Sequence, residues 1–178
     1  MTTHLPRSEF DERLAAVRDR LAGVDADAGV WFGATSIEYL TGFAHVRTER
    51  PVVLVVTPET VAIAVPRLER DRAEAVPPVE RVVTYFDYPA GRPIETAAEL
   101  LEDLGVESVL ADGEGAPGVM GYQGPALSEY VAVDTQDWVD RMRWAKSDAE
   151  VALIRESAEW ANLGHRYLAE YTDRKSVV

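Results

Sequence analysis

Apolar residues recur at helical spacing near the start of the chain, which predicts an amphipathic helix. The repeating positions are Phe10, Leu14, Val17 and Leu21. Gly23 ends this run, and Ser8, followed by Asp11, resembles a capping box at its beginning. The first predicted element is therefore a surface helix with one buried face.

A second helical pattern runs from Ser147 to Tyr171 near the end of the chain. Ser147 and Glu150 have the spacing of a capping box, and two apolar stripes follow for more than twenty residues. Stripes this wide are typical of a helix that packs against a further part of the protein, which follows it in the chain. The segment 172–178 breaks the periodicity and is interpreted as a separate tail.

Short apolar runs between these two helices predict strands. The runs are 28–32, 52–56, 61–65, 81–86, 108–111 and 131–133. A tight polar turn with Pro58 joins the second run to the third, so these two strands form an antiparallel hairpin. Helices are predicted at 67–75 and at 93–104, the latter with Pro at its first turn and Gly105 after its end. This alternation predicts an α/β layered domain with a mixed sheet.

The composition favours one compact domain with an acidic surface. The 178 residues include 31 acidic and 18 basic ones, a net charge of -13, and Lys146 and Lys175 are the only lysines. Such a surface repels nucleic acids and anionic membranes. This acidic, lysine-poor composition resembles that of proteins from organisms that accumulate salt. A GC-rich genome combined with an ordinary acidic surface is the less favoured explanation. Apolar runs are too short for a membrane span and no secretory segment is visible, so the cytoplasm is expected.

No known catalytic or metal-binding motif in the sequence assigns a function to the chain. The glycine spacing of Gly113–Gly118, with Asp134 about twenty residues later, matches a dinucleotide-binding motif. Glu114 would repel a pyrophosphate and Pro117 removes a backbone donor, so we interpret this segment as a loop. His4, His45 and His165 are too scattered for a zinc site, and no cysteine is present. We therefore predict no catalytic and no metal-ligating residue.

The strongest local motif is Tyr39–Phe43. Gly42 is expected to adopt a positive φ, with Leu40 and Phe43 anchoring the turn and Ser36 capping a short helical turn before it. Such a turn places polar side chains at the rim of a cleft, where a peptide carboxylate or carbonyl needs donors. The candidate binding residues are Tyr39, His45, Arg47 and Arg50.

Several segments, taken in order, resemble the amino-terminal domain of the creatinase, prolidase and aminopeptidase P family. They are Ser36–Phe43, Glu49–Pro51, Val65–Glu69, Tyr85–Asp87 and Arg143–Arg155. The resemblance implies a three-layer α/β/α fold with a mixed sheet of about six strands, as expected for such layered domains. It also implies a domain over 1–145 and a helix over 146–171 that begins a missing catalytic domain, whereas the tail 172–178 resembles no segment of the family.

The resemblance carries expectations about function as well. In full-length relatives, a downstream domain binds a pair of divalent metals (manganese, cobalt or zinc), and these metals activate water. None of the residues that bind the metals in the relatives has a counterpart in this chain. The resemblance favours an Xaa-Pro peptidase domain that acts in homodimerisation and substrate gating on proline-containing peptides. The alternatives are the corresponding domain of a creatinase-type amidinohydrolase and a stand-alone module that binds peptide or protein. Ser36 departs from the family, which often has Asn there.

Overall fold

The structure is a computed structural model that describes residues 4–86, 91–112, 122 and 124–175. Arg7–Met142 form one compact unit, and the described residues 4–6 and 143–175 belong to a second. In the described part of the chain, no helix is long and apolar enough to cross a membrane.

The first unit alternates helices with short strands. Its strands are β1 (Ala28–Trp31), β2 (Val53–Val56), β3 (Val61–Pro66), β4 (Arg81–Tyr85), β5 (Ser108–Ala111) and β6 (Ala132–Thr135). Its helices are α1 (Arg7–Leu21), α2 (Ala34–Thr41), α3 (Arg70–Glu74), α4 (Pro93–Asp103) and α5 (Trp138–Met142), with 3₁₀ turns at Arg67–Glu69 and Leu127–Glu129.

These strands form a mixed sheet with the order β4-β3-β2-β1-β5-β6. β2 pairs antiparallel with both β1 and β3, while the pairs β3–β4, β1–β5 and β5–β6 are parallel. Thr57 closes the predicted hairpin, because its hydroxyl oxygen accepts from the N–H of Thr60 at 2.9 Å. The predicted mixed six-stranded sheet is confirmed.

Helices cover both faces of the sheet, which confirms the three-layer arrangement. One face of the strands packs against α1, α2, α3 and α5, with Trp31, Leu54 and Ile63 buried at its centre. The opposite face packs against α4, with Val30 and Val55 at its centre. β1, β2 and β3 are buried at every position, so these strands appear in the sequence as continuous apolar runs.

Several local predictions differ from the structure. α1 begins at Arg7, so Ser8 lies inside the helix and the predicted cap at Ser8 is wrong. The helix predicted over 67–75 is divided into a 3₁₀ turn and α3. The strand predicted over 131–133 lies at Ala132–Thr135. α5 has no counterpart among the predicted elements.

In the second unit, Asp148–Lys175 form one long helix, α6. The predicted capping box is present, since the N–H of Glu150 donates to the Ser147 hydroxyl at 3.1 Å and the N–H of Ser147 donates to the Glu150 carboxylate at 2.8 Å. The helix continues past Tyr171, where the sequence pattern predicted a tail. Its exposed apolar side chains include Ile154, Trp160, Leu163, Tyr167, Leu168 and Tyr171.

Candidate functional site

The segment 42–52 crosses the edge of the sheet where most strands end. Because β3 and β1 run in the same direction, the carboxyl ends of β1, β3, β4, β5 and β6 share this edge with the amino end of β2. In open α/β sheets, ligands bind outside the carboxyl ends of the strands. The segment that precedes β2 therefore lies where the topology favours a site.

A left-handed glycine determines where this segment leaves α2. Gly42 has φ +80°, as predicted, and its N–H donates to the Glu38 carbonyl at 2.8 Å. The Thr41 hydroxyl donates to the Ile37 carbonyl at 2.7 Å and accepts from the N–H of Phe43 at 3.1 Å. These bonds satisfy groups at the end of α2 and set the direction of the segment. Gly33, and not Ser36 as predicted, is the N-cap residue of α2; Ser36 lies buried inside the helix.

Arg13 of α1 covers the aromatic ring of Tyr39. Its guanidinium carbon lies 3.9 Å from the ring centroid, and its Nη1 donates to the Tyr39 carbonyl at 2.7 Å. The Glu9 carboxylate accepts from Nη2 at 3.2 Å, which pairs the charge of this buried arginine. A cation over the ring face and a donor at the last turn of α2 both stabilise this end of the helix. Tyr39 therefore belongs to the contact between α1 and α2.

His45 and Arg50 share a cavity of about 130 Å³ at the carboxyl edge of the sheet. Leu68, Glu69 and Arg72 also line it. The His45 ring stacks on Phe43 with 5.5 Å between the ring centroids and an angle of 28° between the planes. The end of the segment is fixed by Tyr85, whose hydroxyl donates to the Pro51 carbonyl at 2.7 Å.

Burial lowers the pKa of His45 below its ordinary value, although the Phe43 backbone and the Glu69 charge oppose the shift. The imidazole is therefore neutral at physiological pH. Its Nδ1 is buried and has no hydrogen-bond partner among the described residues. A neutral imidazole can donate a hydrogen bond through one ring nitrogen and accept one through the other.

Arg47 does not line this cavity. Its charge acts on Asp112, which follows β5 and whose carboxylate accepts from the N–H groups of Phe32 and Gly33 at 2.7 and 2.9 Å. Burial is the largest influence on Asp112 and raises its pKa, while these two N–H groups and Arg47 lower it. The structure therefore does not bring the four candidate residues together: His45 and Arg50 line the cavity, Tyr39 packs against α1, and Arg47 lies outside the cavity and influences Asp112 through its charge.

Sequence analysis missed Asp112 and Arg72. Asp112 has a recognisable pattern, since it directly follows a buried strand at the edge where parallel strands end. No sequence pattern marks Arg72, because its contact with the carbonyl of Ala44 joins residues that are 28 positions apart in the chain. The glycine-rich stretch Gly113–Gly118 lies outside the described residues.

The described residues offer no place for a catalytic metal pair. No group of three or more His, Asp or Glu side chains in this part of the chain is arranged to hold a metal ion. The arrangement that is present can instead bind a small polar group, through a neutral imidazole and a guanidinium at one cavity.

Residues 13–145 match the family described as the creatinase/prolidase N-terminal domain. The chain is also 25% identical over 171 residues to an uncharacterised hydrolase/peptidase from Sinorhizobium fredii (strain NBRC 101917 / NGR234). That alignment covers 89% of this chain and 44% of the relative. The chain thus spans less than half the length of this relative.

Solved structures share the fold at low sequence identity. An Xaa-Pro dipeptidase from Bacillus anthracis has a TM-score of 0.70 and 14% identity, covering 91% of this chain and 43% of its own. The creatinase/prolidase N-terminal domain of an X-Pro dipeptidase from Streptococcus pyogenes has a TM-score of 0.59 and 20% identity, covering 75% and 98%. A proline dipeptidase from Streptococcus agalactiae 2603V has a TM-score of 0.56 and 23% identity, covering 74% and 98%.

Proposed function

The chain belongs to the creatinase/prolidase N-terminal domain family, and on that premise we propose that it is the non-catalytic N-terminal domain of a longer, metal-dependent Xaa-Pro peptidase. The observation that carries this proposal is the family match, which ends at residue 145. The cap of α6 follows at Ser147. In this proposal a domain occupies 1–145, and α6 begins the catalytic part that would supply the metal ligands.

The exposed face of α6 supports the presence of that further part. Large apolar side chains repeat along the helix, and Trp160, Tyr167 and Leu168 are each more than half exposed. An exposed patch of this kind marks an interaction surface. In the proposed protein the catalytic part packs on this face, and the protein acts in the cytoplasm.

The segment 42–50 is the contribution of this domain to substrate binding. Arg50 and His45 supply a guanidinium and a neutral imidazole to one cavity, and these groups suit the carboxylate and carbonyl of a proline-containing peptide. Val46 and Leu68 border the same cavity and are 84% and 74% exposed. We propose that this apolar rim meets a second subunit, so that the segment gates substrate entry in a homodimer.

The kinetic test uses variants of the longer protein that this proposal implies. His45→Ala or Arg50→Ala should raise KM or lower kcat for Xaa-Pro dipeptides while the melting temperature changes little, because both groups line the cavity that is proposed to bind substrate. Arg81→Ala is a matched control, since Arg81 pairs with Asp103 at the amino end of β4. Unchanged kinetics in both test variants would contradict the proposal.

The creatinase-type alternative is distinguished by substrate. The similar solved structures are described as proline or Xaa-Pro dipeptidases, which favours peptides over creatine. The longer protein should therefore hydrolyse Xaa-Pro dipeptides and leave creatine intact. Turnover of creatine alone would support the amidinohydrolase.

A further inference from the structure

Arg72 joins the short helix α3 to the segment that carries His45. Its Nη2 donates to the carbonyl of Ala44, and its Nη1 pairs with the carboxylate of Glu69. The guanidinium carbon also lies 5.6 Å from the centroid of the Phe43 ring. The side chain of Arg72 thus contacts two consecutive residues of the segment and one residue of the 3₁₀ turn that precedes α3.

The contacts of Arg72 continue to the cavity itself. Phe43, beneath the guanidinium, stacks on the ring of His45. Arg72 also lines the same cavity as His45 and Arg50. The position of the imidazole in this cavity is therefore linked to Arg72 through Phe43 on one side and through the backbone of Ala44 on the other.

The base of this contact is buried, whereas the contact itself is accessible to water. Ala73, the next residue in α3, is fully buried against the sheet. The side chains of Arg72 and Glu69 are 59% and 23% exposed. Exposed ion pairs contribute little to global stability, so the effect of Arg72 is confined to the segment that it contacts.

From this geometry we propose that Arg72 is a positioning residue, which holds the segment 43–50 so that His45 and Arg50 face one cavity. The inference rests on the proposed function only for its consequence, which is the binding of substrate. An arginine is required because its planar guanidinium presents two nitrogens in fixed directions, one to each acceptor. A lysine offers a single ammonium and retains one of these bonds at a time.

Amide hydrogen exchange of the 178-residue chain tests the physical claim. The N–H of Phe43 donates to the Thr41 hydroxyl and the N–H of Ala44 to the Gly42 carbonyl, so both amides report on the segment. In Arg72→Gln their exchange should accelerate about fivefold, the effect of losing one hydrogen bond of typical strength. Arg72→Lys should fall between this variant and the wild type.

Arg70→Gln is the matched control, because Arg70 lies in the same helix and pairs with Glu74 at 2.7 Å. It should leave the exchange of Phe43 and Ala44 unchanged. Global unfolding by urea should be nearly the same in all variants, which separates a local effect from loss of the fold. Equal exchange of these amides in Arg72→Gln and Arg70→Gln would overturn the inference.

A kinetic measurement on the longer peptidase separates this inference from the proposed function. If both hold, Arg72→Gln raises KM about fivefold with kcat changed less than about twofold, and Arg72→Lys partly restores KM. If exchange accelerates but KM stays constant in the variants of Arg72, His45 and Arg50, the positioning role stands and substrate binding by this segment is refuted. If KM rises in the His45 and Arg50 variants but neither exchange nor KM changes in the Arg72 variants, the positioning role alone is refuted.

Discussion

The carboxylate of Asp112 accepts a hydrogen bond of 2.9 Å from the backbone N–H of Gly33, the N-cap residue of α2. The same carboxylate accepts from Phe32 at 2.7 Å. Two neighbouring parallel strands, β1 and β5, are thereby joined at the edge where α2 begins. This bond connects the start of α2 to the sheet, and the end of α2 leads directly into the candidate site.

Replacing Asp112 by asparagine should destabilise the domain. Each carboxylate oxygen accepts one backbone N–H, and an asparagine amide would direct its own N–H₂ group at one of these donors. We expect a loss of about 1–3 kcal/mol in the free energy of unfolding, the cost of leaving a buried donor without a partner. Urea unfolding measures it, and Asp134→Asn at exposed β6 is the control. Equal stability of the two variants would contradict this interpretation.

Asp112 also predicts a pH dependence. Burial raises its pKa in the folded state, so the folded chain retains this proton to higher pH than the unfolded chain does. Its contribution to stability is fully present below the pKa of the unfolded chain and is lost as the pH rises through the raised pKa. Unfolding measured across this acidic range should show a smaller decrease with rising pH in Asp112→Asn than in the wild type.

Asp27 should show the opposite pH dependence. The N–H groups of Glu107 and Ser108, followed by the Ser108 hydroxyl, donate to its carboxylate and lower its pKa. Its contribution is present above the pKa of the unfolded chain and is lost as the pH falls through the lowered pKa. Asp27→Asn should therefore reduce the loss of stability on acidification. An unchanged acid midpoint in urea unfolding at several pH values would argue against this role.

Gly42→Ala should cost more stability than Gly105→Ala. Both glycines have positive φ, +80° and +70°, a conformation that costs other residues about 1–2 kcal/mol. A Cβ at Gly42 would also lie 3.1 Å from the Phe10 ring, whereas one at Gly105 would meet nothing within 4 Å. Thermal unfolding should rank the wild type above Gly105→Ala and Gly105→Ala above Gly42→Ala. The reverse order of the two variants would show that the contact with Phe10 relaxes without cost.

The acidic composition predicts that salt stabilises the fold. With 31 acidic and 18 basic residues, folding concentrates negative charge, and repulsion is strongest at low ionic strength. Molar salt shortens the Debye length to about 3 Å and strengthens burial. The melting temperature should rise substantially from dilute buffer to molar KCl, and lysine substitutions at several exposed acidic positions should flatten the rise. A constant melting temperature would favour codon usage as the cause of the missing lysines.

The 178-residue chain alone should not hydrolyse Xaa-Pro dipeptides. In the described residues no side-chain cluster suited to a metal is present, and the proposed function assigns the metal pair to another part of the protein. Purified chain with added manganese, cobalt or zinc should give background rates, with a complete Xaa-Pro peptidase as positive control. Metal-dependent turnover that persists after repurification would reveal a site in this chain.

Local sequence patterns predicted most elements of the fold. Apolar periodicity located α1, α4, α6 and the strands, and the capping box at Ser147 and the left-handed Gly42 were correctly identified. Such features depend on residues within one helical turn or one strand, which the sequence displays side by side. The helix α2 was expected only as a short turn, because its buried positions precede a glycine and were interpreted as part of a loop.

The sequence by itself determined the family, the mixed sheet and the segment that carries the candidate residues. Only the tertiary structure decided which residues meet around this segment. Arg13 contacts Tyr39, Asp112 contacts Phe32, and Arg72 contacts Ala44, and these pairs lie 26, 80 and 28 positions apart in the chain. The physical reason is that such contacts depend on strand order and on how helices pack across a sheet. That information is distributed over the whole chain and absent from any short stretch of it.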